Sequence, residues 1–67
     1  MKLKCKNIAT SQFNDILFTQ NKVYEFVPVD NKYTKDKNYI GYINKDNEGL
    51  KRWVSKEFLE EYFEGVN

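Results

Sequence analysis

Val23-Tyr24-Glu25-Phe26-Val27-Pro28-Val29 is the stretch that decides the fold. Read at the two-residue period of a strand, Val23, Glu25, Val27 and Val29 share one face, and Tyr24 and Phe26 share the other. Both faces are largely apolar. Such a strand belongs where a sheet bends and one strand serves two halves of a barrel. Pro28 has no amide hydrogen to give a ladder, so it marks an edge, a bulge or the strand's end.

Two further strand-like runs flank it, Lys2–Asn7 and Tyr39–Val54. In the first, Leu3 and Cys5 point one way and Lys2, Lys4 and Lys6 the other. This predicts an edge-proximal strand with its lysines in water, where they also discourage unwanted strand pairing. Asn7–Asn21 reads as a long loop folded back over the core by Phe13, Ile16, Leu17 and Phe18. Asn21 suits a tight turn because Asn tolerates positive φ.

Beyond the central strand, Asp30–Asn38 is a polar loop with three lysines and Tyr33, and the segment expected to be most mobile. Tyr39–Asn44 is a strand, Lys45–Gly49 a hairpin turn built on Asp46, Asn47 and Gly49, and Leu50–Val54 the return. On that return Leu50, Arg52 and Val54 lie on one side, and Lys51 and Trp53 on the other. Ser55 can cap a helical turn. Phe58, Leu59, Tyr62 and Phe63 then recur at helical spacing, with Gly65 as a stop. A helix over Lys56–Glu64 and a helical turn followed by a closing strand at Glu60–Phe63 fit this pattern equally. The whole reads as one mainly β domain over residues 1–67. About five short antiparallel strands make a small barrel, with a C-terminal helical turn or short helix.

The order of these elements carries a resemblance. Lys4-Cys5-Lys6-Asn7 leads to a long loop, and Phe18-Thr19-Gln20-Asn21-Lys22-Val23-Tyr24-Glu25-Phe26 enters a strand. A Tyr/Ile strand follows, then the Asp46-Asn47-Glu48-Gly49 hairpin and Val54-Ser55-Lys56-Glu57-Phe58. Over residues 3–58 this resembles small SH3-like barrel proteins of phages and prophages of low-GC bacteria. That group often carries Leu-Thr-x-Gly-Lys-x-Tyr-x-Val at the loop-to-strand junction; here Phe18 stands for the Leu and Asn21 for the Gly. The resemblance implies an SH3-like barrel and a phage or prophage origin. It implies no functional residue, since most members have no assigned activity. The abundance of Lys, Asn, Ile, Tyr and Phe, whose codons are AT-rich, agrees with a low-GC origin.

Composition excludes several chemistries. The chain has no histidine and one cysteine, so Ser-His and Cys-His nucleophiles cannot be built, and neither can a disulfide within the chain or a tetrahedral zinc site. Cys5 shares the apolar face of its strand with Leu3, as a buried, inert thiol would. The glycines are isolated, so no phosphate-cradling loop is present. The Glu60/Glu61 pair reads as a solvated helix face. A non-enzyme without metal or cofactor is expected. Met1–Lys6 lacks the apolar core of a signal peptide, and no apolar stretch is long enough to span a bilayer. The expected location is therefore the cytoplasm (a host's cytoplasm if the protein is phage-encoded).

Net charge is +1 but unevenly spread. Residues 1–56 hold eleven basic and six acidic residues, a balance of +5, and the remainder holds four Glu and no base. Binding is the role left open, and the aromatic residues direct it. Trp53, with Arg52, Lys51 and Tyr42, is the candidate protein-binding surface. The competing arrangement packs Trp53 beneath the C-terminal segment against Phe58 or Tyr62, as a small domain short of core residues would favour. Lys32, Tyr33, Lys35 and Lys37 interleave bases with an aromatic and are the candidate nucleic-acid surface. A host protein is the first partner expected and nucleic acid the alternative. A homodimer through a strand edge is a third arrangement.

Overall fold

The computed structural model describes residues 1–65. The strands are β1 (Lys2–Cys5), β2 (Ala9–Thr10), β3 (Ile16–Phe18), β4 (Val23–Pro28), β5 (Tyr39–Ile43) and β6 (Arg52–Ser55), followed by helix α1 (Lys56–Tyr62) and β7 (Phe63–Gly65). A single 3-10 turn at Asn31–Tyr33 interrupts the β4–β5 loop. Five strands form one curled antiparallel sheet in the order β6-β5-β4-β1-β7, and β2 and β3 pair as a separate hairpin. This is a small SH3-like barrel, mainly β, with one short C-terminal helix.

β4 divides its partners at its middle. Val23, Tyr24 and Glu25 pair with β1, while Phe26, Val27 and Pro28 pair with β5. The double-sided apolar pattern of this strand is thus the mark of a bend. Only one of its faces is core, however. Tyr24 and Phe26 are buried, whereas Val23 is exposed and Val27 and Val29 are half-buried. Pro28 ends the strand opposite Gly41.

At that bend β5 crosses β4 at very close range. A Cβ on Gly41 would lie 2.3 Å from the Val27 carbonyl oxygen and 2.7 Å from the Phe26 ring. Only glycine fits, and the ladder to β6 shifts register between Tyr39 and Gly41.

The core gathers Leu3, Cys5, Ala9, Leu17, Phe18, Tyr24, Phe26, Ile43, Val54 and Phe63, with Phe58, Leu59 and Tyr62 packed against it. Phe18 is its hub, edge-on to Tyr24 at 5.0 Å, to Phe63 at 5.1 Å and to Phe58 at 6.1 Å between ring centroids.

Several expectations are corrected. β1 is not at an edge: the chain's last strand returns to pair with it, so β1 lies between β4 and β7, and Lys4 Nζ sits 4.0 Å from Glu64. Leu17 and Phe18 anchor the first loop, but Phe13 and Ile16 do not. That loop contains the β2–β3 hairpin, whose tight tip, with Asn14 at φ 66° and the Ser11 hydroxyl accepting from Phe13 N and Asp15 N, leaves Phe13 in solvent. Leu50 is exposed rather than inward, because it still belongs to the turn, exchanging bonds with Asp46, and pairing starts at Arg52. Asn21 does adopt positive φ, 71°.

The C-terminal segment combines the two arrangements its pattern allowed. Ser55 Oγ accepts from Phe58 N at 3.1 Å and caps α1, which ends at Tyr62. Phe63–Gly65 then closes the sheet, three residues later than the sequence pattern placed a strand. Gly65 lies in that strand; Phe63 terminates the helix by turning extended and burying its ring.

Candidate functional site

Trp53 lies in the middle of β6, directly opposite Tyr42 of β5. Its neighbours in sequence explain its orientation: Val54 must face the core, so Trp53 faces out. The outward face is aromatic. Tyr42 meets Trp53 edge-on at 5.1 Å, and Tyr39 stacks on it at 6.1 Å with 27° between the rings. Lys51 Nζ stands 4.4 Å above the Tyr42 ring. Trp53 therefore does not pack beneath the C-terminal segment; Phe58 and Tyr62 stack on each other and on the core instead. At 39% exposure the indole is partly shielded by its two tyrosines and otherwise free.

The β4–β5 loop forms the opposing wall. Its polar residues are organised by their own short-range bonds. Asp30 accepts from Lys32 N at 3.1 Å and starts the 3-10 turn, and Asp36 accepts from Asn38 N at 2.9 Å. The Thr34 hydroxyl lies 2.8 Å from the Asn31 carbonyl oxygen and 2.7 Å from that of Asp36, which buries Thr34 beneath the loop. Lys37 Nζ donates to the Asn31 carbonyl at 3.0 Å, and Lys32 lies over the exposed ring of Tyr33.

Between this wall and the sheet is a cleft of about 450 Å³, lined by Tyr33, Thr34, Lys35, Tyr39 and Trp53. The two candidate surfaces read from the sequence, one on the Trp53 strand and one on the lysine-rich loop, thus meet at one place. Lys35 lines it, Lys32 and Lys37 stand on the same loop, and Lys51 lies over the Tyr42 ring; none of the four belongs to an ion pair among the described residues.

Arg52 lies apart from this face. It alternates to the other side of β6, and its Nε donates to Asp46 Oδ2 at 2.6 Å. There it lines a second groove with Ser11, Gln12, Phe13, Asp15, Leu17 and Glu48. Asp46 itself is buried, accepting at Oδ1 from Glu48 N at 2.8 Å and from Leu50 N at 2.9 Å. Burial pushes its carboxyl up, but the hydrogen bonds from Leu50, Arg52 and Glu48 together outweigh it and hold the group below its ordinary range.

Sequence reading missed Tyr39 and Thr34 as parts of the cleft. Tyr39 reads only as the opening residue of a strand, and nothing local to Thr34 signals that a loop folds over it. Cys5 is fully buried, with its thiol donating to the Asn7 carbonyl at 2.9 Å, and burial raises its pKa. Among the described residues, no three His, Cys, Asp or Glu side chains gather where they could hold a metal ion, and no helix is long and apolar enough to cross a membrane.

Fold and site together define a small β-barrel with an aromatic cleft, lined also by Lys35, on the outer face of its sheet. Comparison with protein-family models, with curated proteins and with solved structures finds no match to this chain.

Proposed function

We propose that this protein is a non-catalytic binding module that recognises another protein through the Trp53 face. On the resemblance of its sequence, it is a phage or prophage accessory protein that acts in the host cytoplasm, modulating or inhibiting a host protein. One observation carries the binding role: Tyr33, Lys35, Tyr39 and Trp53 converge on a single cleft outside the core. A domain of this size needs its large apolar residues inside. Three aromatic side chains left lining a cleft away from the core are the kind of residues that anchor interfaces. The absence of histidine and the burial of Cys5 support a binding rather than a catalytic role. Affinity capture from a low-GC bacterial lysate, with Trp53→Ala as control, tests this. A partner retained by the wild type and lost with the variant is expected; equal retention by both would overturn the reading.

The charge of Lys32, Lys35 and Lys37 on the loop that exposes the Tyr33 ring, none of it in an ion pair among the described residues, favours a second reading, weak binding of nucleic acid. That reading requires an affinity falling steeply with salt. Electrophoretic shifts of DNA and RNA at low ionic strength test it, and the absence of any shift rejects it.

A further inference from the structure

Three features of the Trp53 face, taken together, select among proteins the kind of segment that fits. The first is charge. Lys35 lies in the cleft wall and Lys51, just before β6, over the Tyr42 ring, both without an acidic partner among the described residues, while Lys32 and Lys37 stand on the loop with Lys35. The loop's own carboxylates do not pair with these lysines: Asp30 and Asp36 each face a backbone amide of the loop, and neither forms an ion pair with a lysine among the described residues. The second is shape. A cleft of about 450 Å³ walled by Tyr33, Tyr39 and Trp53 has room for a large side chain flanked by backbone. The third is the edge. β6, which carries Trp53, is a terminal strand of the sheet and pairs only with β5, so its other side has no strand partner among the described residues.

From these we infer that the Trp53 face takes an extended acidic peptide segment of the partner protein, added as a strand along the free edge of β6. Strand addition supplies main-chain hydrogen bonds to Arg52–Ser55. In the added strand every second side chain falls on the Trp53 side of the sheet. One large apolar side chain of the segment enters the cleft against Tyr39 and Trp53. Its acidic neighbours lie within reach of Lys35 and Lys51. Nucleic acid makes less of these features: it has no use for a strand edge, and stacking on Trp53 is limited by the two tyrosines already against it.

This inference rests on the protein-binding reading above but can fail separately from it. Trp53 is the chain's only tryptophan, so its fluorescence reports the cleft directly. The probes are a blocked nine-residue peptide with Glu at alternate positions around a central Phe, the same peptide with Lys for Glu, and a twelve-nucleotide oligothymidylate. The acidic peptide is expected to give a saturable change in Trp53 emission and to shift the amide resonances of Arg52–Ser55. The double variant Lys35→Glu/Lys51→Glu, and salt of about 0.5 M, should each weaken it about tenfold. An equal response to the Lys peptide, a response to the oligothymidylate alone, amide shifts that avoid β6, or no response to any probe would overturn the inference. A captured protein that is lost with Trp53→Ala but kept by the double lysine variant would overturn it as well, while leaving the protein-binding reading standing.

Discussion

The Tyr24 hydroxyl, at the inner end of a core side chain, donates to Asn47 Oδ1 at 2.7 Å across the barrel. The same hydroxyl accepts from Thr19 N at 2.8 Å. Asn47 in turn gives its amide to the Ile16 carbonyl and the Thr19 hydroxyl, and its backbone N–H to the Leu17 carbonyl. One turn residue of the distal hairpin thereby ties down β3 and the entry to β4. Tyr24→Phe should cost about 1–2 kcal/mol, because it leaves the Thr19 amide and Asn47 without their partner. Asn47→Ala should cost more, since it breaks three side-chain bonds. Urea unfolding of the two variants and their double should show coupling; additive losses would mean that the network does not act as a unit.

Gly41 is where β4 and β5 touch, and its replacement should be the most damaging single change among the glycines of the described chain. In Gly41→Ala the new methyl meets the backbone oxygen of Val27, which cannot rotate away. We expect a loss of about 3 kcal/mol or more. Gly49→Ala is the control: its φ of +80° makes alanine strained, but nothing lies within 4 Å of the new Cβ. That change should cost about 1 kcal/mol. Thermal melting of the two variants checks the order, and a milder Gly41→Ala would mean that the bend relaxes.

The Asp46 carboxylate predicts an acid dependence of stability. Its folded pKa lies below the unfolded value, so the folded state binds its proton less readily. The stabilisation is fully present above the ordinary carboxylate value of about 3.9 and is lost as pH falls through the lower folded value. In Asp46→Asn the amide oxygen can still accept from Glu48 N and Leu50 N, but the charge facing Arg52 is gone. The urea midpoint of the variant should start lower at neutral pH and converge toward wild type in acid. Parallel profiles would assign the acid sensitivity to other carboxylates.

These two turn residues show what the sequence could and could not convey. Asp46 and Asn47 were legible as turn formers, because hairpins draw on Asn, Asp and Gly for local backbone reasons. Their longer-range work, holding Arg52 and Tyr24, depends on which loops the barrel brings together, and no local pattern encodes that. Alternation likewise set Leu3, Cys5 and Val54 inward and turned Trp53 outward, but on the central strand it left both faces apolar and did not single out Tyr24 and Phe26 as the core side. It failed at Leu50 and Phe13, where alternation and hydrophobicity extend into a turn but the ladder does not. For the candidate site, Trp53, Tyr42, Lys51, Tyr33 and Lys35 stood out by residue type. The meeting of Tyr33, Lys35 and Trp53 at one cleft is a consequence of the β4–β5 loop folding toward β6, across about 20 residues of sequence that composition alone does not bridge.

Cys5 should behave as an inert core residue. Its thiol is buried, bonded to the Asn7 carbonyl, and made less acidic by burial. A thiol reagent at pH about 8 should label it only through unfolding, at a rate that rises with urea alongside the loss of structure. Rapid labelling of the native protein would show that the β1 region opens independently of the rest.

Trp53 should be separable from stability. Its ring stacks on Tyr39 and meets Tyr42 edge-on, it is not a member of the Phe18 core, and cross-strand pairs on a solvated face contribute modestly. Trp53→Ala is expected to cost about 1 kcal/mol or less. Phe18→Ala, which empties the centre of the aromatic cluster, should cost about 3–5 kcal/mol. This difference lets the Trp53 variant serve as a folded control in binding experiments. Guanidinium unfolding followed by far-ultraviolet circular dichroism checks it without needing the tryptophan signal. Were Trp53→Ala as destabilising as Phe18→Ala, the outer aromatic face would be structural, and the cleft would lose its standing as a surface kept for a partner.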